Sequence, residues 1–519
     1  MRLITGLLTV ALTAFAIGDP VAQTLTVPAG GDLQAALVGA RPGATILLER
    51  GATYIGNFTL PAATASGDDR VITLRTAGDD VVAPGTRISP DAAKPLAKLQ
   101  SPNSSPALAT TPGARGWVIQ LVEFAANKDG AGDIIQLGDG STAQTTLAQV
   151  PSNLTLDRVY IHGDPAKGQK RGVALNASHV TISNSYVSDI KAIGQDSQAI
   201  GGWNGPGDYV IDNNYLEAAG ENVMFGGSDP AILELTPSRI QVRNNTLSKP
   251  LSWRNSGQPA WQVKNIFELK NARDVLVEHN VLEHCWLQAQ SGYAVLFTVR
   301  NQDGACPWCQ VENVEFRGNI VRGVAAGMQI LGTDPNHPSR QTNHIAVHDN
   351  VFDDIDRDEW GGDGYFLLVS DAPRDVTIDH NTIVQGKSGG LVKIAHGVAQ
   401  GVAITNNIAL HGDYGIIGTD HGVGNDSINT YLPGAQITKN VIAGGNASAY
   451  PPGNFFPGVA DFQKQFVDFS NHDYHLAPAS SWRKAGSDGR DLGADLSTVP
   501  DAPPRDSTQR TQWTQRKKK

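Results

Sequence analysis

The sequence predicts an all-β chain folded as a right-handed parallel β-helix with a short helical cap at its N-terminus. Three observations carry this expectation. A phrase returns about once every thirty residues, its apolar residues alternate with period two, and Asn, Asp and Gly punctuate the joins.

The phrase consists of alternating apolar residues, a polar pair whose second member is Asn, then further apolar residues. It reads I-Q-V-R-N-N-T-L from Ile240 to Leu247 and V-L-V-E-H-N-V-L from Val275 to Leu282. Aligned on the second polar position, the asparagines are Asn214, Asn245, Asn280, Asn319, Asn350, Asn381, Asn407 and Asn440. Gaps run from 26 residues (Asn381 to Asn407) to 39 (Asn280 to Asn319), a repeat-architecture range. Period-two alternation rich in Val and Ile means strands with one buried face. Asn tolerates a left-handed backbone in a sharp turn, and stacked amides can bond from layer to layer.

A second strand column precedes the phrase in Val223-Met224-Phe225, Phe267-Glu268-Leu269, Phe297-Thr298-Val299 and Leu367-Leu368-Val369. Two strand columns per coil are therefore expected. Asp-Pro corners follow at Asp164-Pro165, Asp229-Pro230 and Asp334-Pro335. Propeller blades would show hairpins, and leucine-rich repeats would be shorter and Leu-dominated.

The ends differ from the middle. Arg2, the apolar run Leu3 to Ile17 and the small residues after it read as a secretory signal over 1–22, placing the protein outside the cytosol, secreted or periplasmic. Residues 23–100 hold the cap and first coils, with the amphipathic run Asp32 to Ala40 as a helix covering the open end. Residues 101–445 carry the repeats. Residues 446–500 lose the phrase and are expected to form the other cap, and 501–519 a disordered basic tail. No later apolar run reaches membrane-spanning length. A capped solenoid needs no partner subunit, so a monomer is expected. The formal net charge of −10 argues against nucleic acid as a partner; an anionic sugar polymer stays open, because basic clusters can sit on an acidic protein.

The helical cap, the Asn-phrase coils and the ending Asp488-Gly489-Arg490-Asp491-Leu492-Gly493-Ala494 resemble the secreted bacterial right-handed β-helix proteins of the pectate-lyase-like superfamily. The resemblance covers nearly the whole mature chain. It implies the fold and an extracellular polysaccharide as substrate or ligand. It leaves activity open, since that superfamily includes lyases, hydrolases, epimerases and binding proteins.

Strand parity selects the residues that carry chemistry. Phe267 and Leu269 point inward, so Glu268 and Lys270 point out; Val295, Phe297 and Val299 point inward, so Thr298 and Arg300 point out. Lys270 and Arg300 each end a strand, thirty residues apart, which places them on neighbouring coils. Asp334, Asp371 and His396 extend the line along one flank. A Lys–Arg pair suits β-elimination, which removes the proton alpha to a uronate carboxylate while the carboxylate is neutralised; a lysine beside an arginine loses its proton more readily.

This arrangement is similar to the alginate and dermatan-sulfate lyases on this fold. The resemblance implies Lys270 as base, Arg300 as the assisting residue, and Glu268 and Asn265 as ligands of a calcium ion. Asn271 and Asn301 depart from the Ser and His that family favours after the two residues. Hydrolysis is the alternative, with Glu268, Asp303, Asp334 and Asp371 as candidate carboxylates, although the polygalacturonase signatures are missing. A noncatalytic glycan-binding protein is the third reading.

Candidate sugar contacts are Trp261, Trp286, Asn301, Asp303, Asp371 and His396. Trp203, Trp253, Trp308 and Trp360 also fall in loops or strand ends, where they either stack on sugars or cover the solenoid's apolar flank. The Asp-rich run Asp353 to Glu359 reads as a calcium loop or a solvated turn. Cys306 and Cys309 are expected to form a disulfide closing the loop after Arg300, leaving Cys285 buried and free. A metal site joining them with Cys285 and His284 is the alternative.

Overall fold

The computed structural model describes residues 23–62, 70–255 and 260–501. The signal segment and the basic tail beyond Asp501 lie outside the described residues.

Nearly all strands are parallel and fall into sheets of 14, 13 and 12 strands. One coil shows the order: Ser238–Arg243 in the first sheet, Thr246–Ser248 in the second, Phe267–Leu269 in the third, and the next coil begins at Ala272–Glu278. Each coil therefore carries three strands, where the sequence suggested two. The phrase spans two of them: a two-residue corner at Asn244-Asn245 turns the chain from the first sheet into the second, so the two short strands read as one run.

At that corner the structure also reassigns the left-handed residue. It is the first member of the polar pair that takes positive φ, as in Asn213, Asn244, His279, Asp349, His380, Asn406 and Lys439. The second member builds a ladder. Asn319 Nδ2 donates to Asn350 Oδ1 at 3.1 Å and Asn350 Nδ2 to Asn381 Oδ1 at 3.0 Å, and the pattern runs from Asn214 to Asn440. Each Oδ1 also accepts the backbone N–H of the previous Asn, as in Asn280 to Asn319 at 2.9 Å. Asn454, outside the repeats, closes the ladder by accepting from Asn440 Nδ2 at 3.0 Å. These amides are buried, where a made hydrogen bond stabilises modestly and an unmade one costs about 1–3 kcal/mol.

Inward-facing side chains form one continuous core along the axis. Phe267 and Phe297 meet edge-to-face at 6.4 Å, and Phe316, Phe352 and Phe366 continue the line. Each fully buried ring contributes about 1.5–3 kcal/mol of burial free energy.

The N-terminal cap is as expected. Helix Leu33–Gly39 starts at Asp32, whose side chain accepts from the Ala35 N–H at 2.9 Å, and buries Leu33 and Leu37 over the first coil. The other end differs. Tyr450, Asn454 and Phe455 close the last coil, but the chain then turns back along the flank. There Phe462, Phe466, Tyr474, Trp482 and Leu492 pack on Val351, Val384, Ile408 and Val441, which lie on the outer face of the second sheet. This stretch is a strap on the side of the solenoid. Among the described residues no helix is long and apolar enough to cross a membrane.

Candidate active site

The outer face of the third sheet gathers the polar groups. In one row, Asp133, Arg171, Gln198 and Glu221 sit on successive coils, and the pairing of Val223 with Phe267 continues that row to Asn265. The row is hydrogen-bonded along its length. Arg171 donates to Asp133 at 2.8 Å and to Gln198 Oε1 at 3.0 Å, and Gln198 Nε2 donates to Glu221 Oε2 at 2.8 Å. The Arg171 guanidinium also lies 4.9 Å from the ring centre of Trp203.

Around Asn265 the cluster becomes dense. Asn265 Nδ2 donates to Glu268 Oε2 at 2.9 Å and Thr298 Oγ1 donates to Glu268 Oε1 at 3.2 Å. Lys270 Nζ lies 3.6 Å from Glu268 Oε1, and Lys264 Nζ lies 2.5 Å from Asp196 and 3.8 Å from Glu221 Oε1. Glu221 and Glu268 are both buried although they face away from the core. Burial, with Glu268 and Asp196 nearby, pushes the Glu221 carboxyl up to about 7. Glu221 Oε1 and Asn265 Oδ1 are buried acceptors without a hydrogen-bond partner.

Lys270 and Arg300 lie on adjacent coils, as their thirty-residue spacing implied, but not in one row. Leu269 pairs with Phe297, so Thr298 stands opposite Lys270 and Arg300 lies two residues further on. The Arg300 N–H still donates to the Lys270 carbonyl at 2.9 Å, so the two turns touch. The rest of the expected column is staggered. Leu331, Ser370 and Ala395 occupy the row of Lys270 and Thr298. Asp371 and His396, one residue beyond that row, lie about 14 and 19 Å along the axis from Lys270 at one strand spacing per coil.

Several other candidates turn out to shape the loop. Asp334 Oδ2 accepts from the Asn301 N–H at 2.8 Å and Oδ1 from Asn336 N at 2.9 Å, leaving Arg300 a looser 3.7 Å contact. Asn301 is fully buried; its amide donates to the Pro338 carbonyl and accepts from the Cys306 N–H, both at 2.7 Å. It holds the turn and is not a sugar contact. Asp303 is exposed at the loop tip. Cys306 and Cys309 form the expected disulfide. The alternative thiolate site is thereby overturned: two sulfurs are bonded to each other, and burial pushes the Cys285 thiol up to about 12.

Trp286 is buried with Trp253 and Trp360 in a cluster completed by Ala219, Val263 and Ala325, so it is packing and not a sugar platform. Trp261 is half-buried at the cluster's edge, with Lys191 Nζ 5.1 Å from its ring and 4.9 Å from that of Trp253. In the Asp-rich run the carboxylates serve local structure. Asp353 accepts from Tyr474 at 2.7 Å, and Asp356 caps the helical turn Arg357–Trp360. Among the described residues no group of three His, Cys, Asp or Glu side chains is arranged for a metal.

Sequence reasoning missed Glu221, Gln198, Arg171 and Lys264. A signal existed for the first: Glu221 precedes Val223 by two residues, as Asn265 precedes Phe267, and the same parity points both outward.

No family model and no curated protein matches the chain. Among solved structures it is similar to a mannuronic acid specific polysaccharide family 6 lyase from human gut microbiota, at 14% identity and a TM-score of 0.47, covering 89% of this chain and 97% of that one. It is similar to a PL6 family polysaccharide lyase from Pseudopedobacter saltans, at 14% identity and 0.39, covering 86% and 90%. It is also similar to the catalytic domain of a GH87 α-1,3-glucanase, at 14% identity and 0.43, covering 86% and 70%. The three parallel sheets and their coil order make the chain a parallel β-helix, with the right-handed turn that connections between parallel strands take.

Proposed function

We propose that the protein is an exported, monomeric polysaccharide lyase that cleaves a uronate-containing polymer by β-elimination. The observation that carries this is the contact of the Lys270 and Arg300 turns beside the buried oxygen cluster of Glu221, Asn265 and Glu268.

The polymer would lie along the outer face of the third sheet with one uronate over the cluster. Calcium fits the donor set, because hard oxygen ligands are what it takes and two of these oxygens are buried without a hydrogen-bond donor. Glu221, Asn265 and Glu268 would hold it, and it would supply positive charge against the uronate carboxylate. Lys270 Nζ would accept the proton alpha to that carboxylate as the carbon–carbon double bond forms and the glycosidic carbon–oxygen bond breaks, and would return that proton to the departing oxygen. Arg300, whose Nη1 donates to the Val299 carbonyl at 3.2 Å and lies 3.7 Å from Asp334, would exchange these contacts for the carboxylate or the departing glycosidic oxygen. The loop from Asn301 to Gln310 would wall the site from water.

The test is absorbance of the unsaturated uronate product on alginate, pectate, dermatan sulfate and glucuronan, with and without calcium. The signal should appear on at least one polymer and vanish in Lys270→Ala and Arg300→Ala. Absence of the signal on every polymer would overturn the reading.

One observation favours hydrolysis as a second reading. Glu221, protonated near neutral pH, sits close to Glu268, and a protonated carboxyl beside a second carboxylate is what glycosidic hydrolysis needs. New reducing ends without unsaturated product, abolished in Glu221→Gln, would support it.

A further inference from the structure

We infer that Asp229 is a positioning residue for Arg300, clamping the loop that follows Arg300 across the Lys270 turn; the inference rests on the lyase reading above. Asp229 belongs to the turn after strand Glu221–Phe225, one coil before Lys270. Its carboxylate accepts three backbone N–H groups from the coil after Lys270: Gln302 at 2.7 Å and Asp303 at 3.0 Å, then Ala305 at 2.8 Å. The contact therefore bridges three coils and straddles the one that carries the base. Converging main-chain N–H groups make a concave anion site, and here a side chain of the same chain fills it.

The loop's other restraints cannot do this work. The Cys306–Cys309 disulfide joins residues three apart and ties the loop only to itself. Asn301 bonds forward, to Asp334 and Pro338. Trp308 Nε1 reaches the Leu235 carbonyl at 3.0 Å, at the far end of the loop. The Arg300 N–H reaches back only as far as the Lys270 carbonyl, and among the described residues Asp229 alone fastens the tip at Gln302, Asp303 and Ala305 back beyond the Lys270 coil. Gly226 makes the approach feasible: a Cβ there would stand 2.8 Å from Lys270 Cβ and 2.6 Å from the Asn271 nitrogen. Arg300 is thereby held between a loop base fixed forward and a tip fixed backward.

The experiment uses the full chain in two readouts. Hydrogen exchange compares wild type with Asp229→Ala and Asp229→Asn at the amides of residues 302, 303 and 305. Loss of protection confined to this loop in Asp229→Ala, partly restored in Asp229→Asn, is expected. Kinetics on the polymer that wild type cleaves should show kcat lowered about tenfold to a hundredfold in Asp229→Ala, the scale of a misplaced group. KM should stay within about twofold, and Asp229→Asn should recover part of the rate. Unchanged exchange overturns the clamp whether or not the protein is a lyase. Lost protection with wild-type kcat overturns the positioning role. If wild type cleaves no uronate polymer, the lyase reading fails and the positioning role fails with it, while the exchange data still decide the clamp.

Discussion

Gln198 and Glu221 face each other on adjacent coils, and the Gln198 amide donates to Glu221 Oε2 at 2.8 Å while its own oxygen is occupied by Arg171. Arg171 thereby fixes which way the amide points, and the amide fixes Glu221. The carboxyl is pushed up from 4.5 to about 7, so the folded state holds a proton that the unfolded chain has released. Stability should fall as pH rises from about 4.5 to about 7, and Glu221→Gln should remove that slope, a difference on the order of 3 kcal/mol. Denaturant melts at pH 4.5 and pH 8 measure it; equal slopes in both proteins would refute the assignment. Calcium at pH 8 should raise the melting temperature of wild type more than that of Glu221→Gln.

Asn319→Ala should destabilise by about 2–4 kcal/mol. The Asn280 N–H and Nδ2 lose their shared acceptor, and the Val277 carbonyl loses a donor at 2.9 Å. A cost below about 1 kcal/mol in urea melts would mean the ladder is incidental to the stack.

Lys249 is fully buried, and its ammonium meets the carbonyls of Ala218, Ala219 and Gly220 and the Asn222 side-chain oxygen at 2.7–3.0 Å. Lys249→Met keeps the volume and takes a donor from four oxygens, of which the Ala219 carbonyl keeps the Lys264 N–H at 3.1 Å. A loss of about 3 kcal/mol or more is expected by chemical denaturation.

The C-terminal strap should be pH-sensitive. Arg490 reaches Asp349 at 2.6 Å, and His348 bonds Asp349 at 3.0 Å and Glu315 at 3.2 Å. Asp349 is pulled down to about 2, by His348 and Arg490 against its burial, so its contribution is present above about 3.8 and lost as pH falls through about 2. His348 is raised by Asp349 and Glu315; its contribution is complete below about 6.5 and lost as pH climbs through its folded value. Limited proteolysis of residues 459–501 should be slowest between those limits. Asp349→Asn should cleave faster at pH 6, and equal rates would remove the latch.

The coil stack was legible because strand parity and the Asn spacing are local properties of the chain. The second sheet was hidden because it follows the first after a two-residue corner, and hydrophobic periodicity does not mark a change of direction that short. Lys270 and Arg300 were found because each follows an apolar strand of known parity. Glu221 was not, because its role depends on Asn265, more than forty residues later, and on a burial that loops impose. Trp286 and Asn301 went astray for the same reason. A tryptophan or asparagine beside a strand looks alike in sequence whether a loop covers it or leaves it open.

The asparagine ladder has a consequence for how such a molecule can change. Its links join residues 14 to 39 positions apart, yet every link has nearly the same length. Registration of the stack is thus set at one corner and is indifferent to how much chain is spent elsewhere in a turn. Segments such as the one between Arg300 and Val311 can lengthen, shorten or be exchanged without shifting a neighbouring layer. The loops beside the Lys270 turn are in this sense interchangeable parts mounted on a constant spine, and under the proposed lyase reading selectivity for one polymer over another would be rewritten one turn at a time.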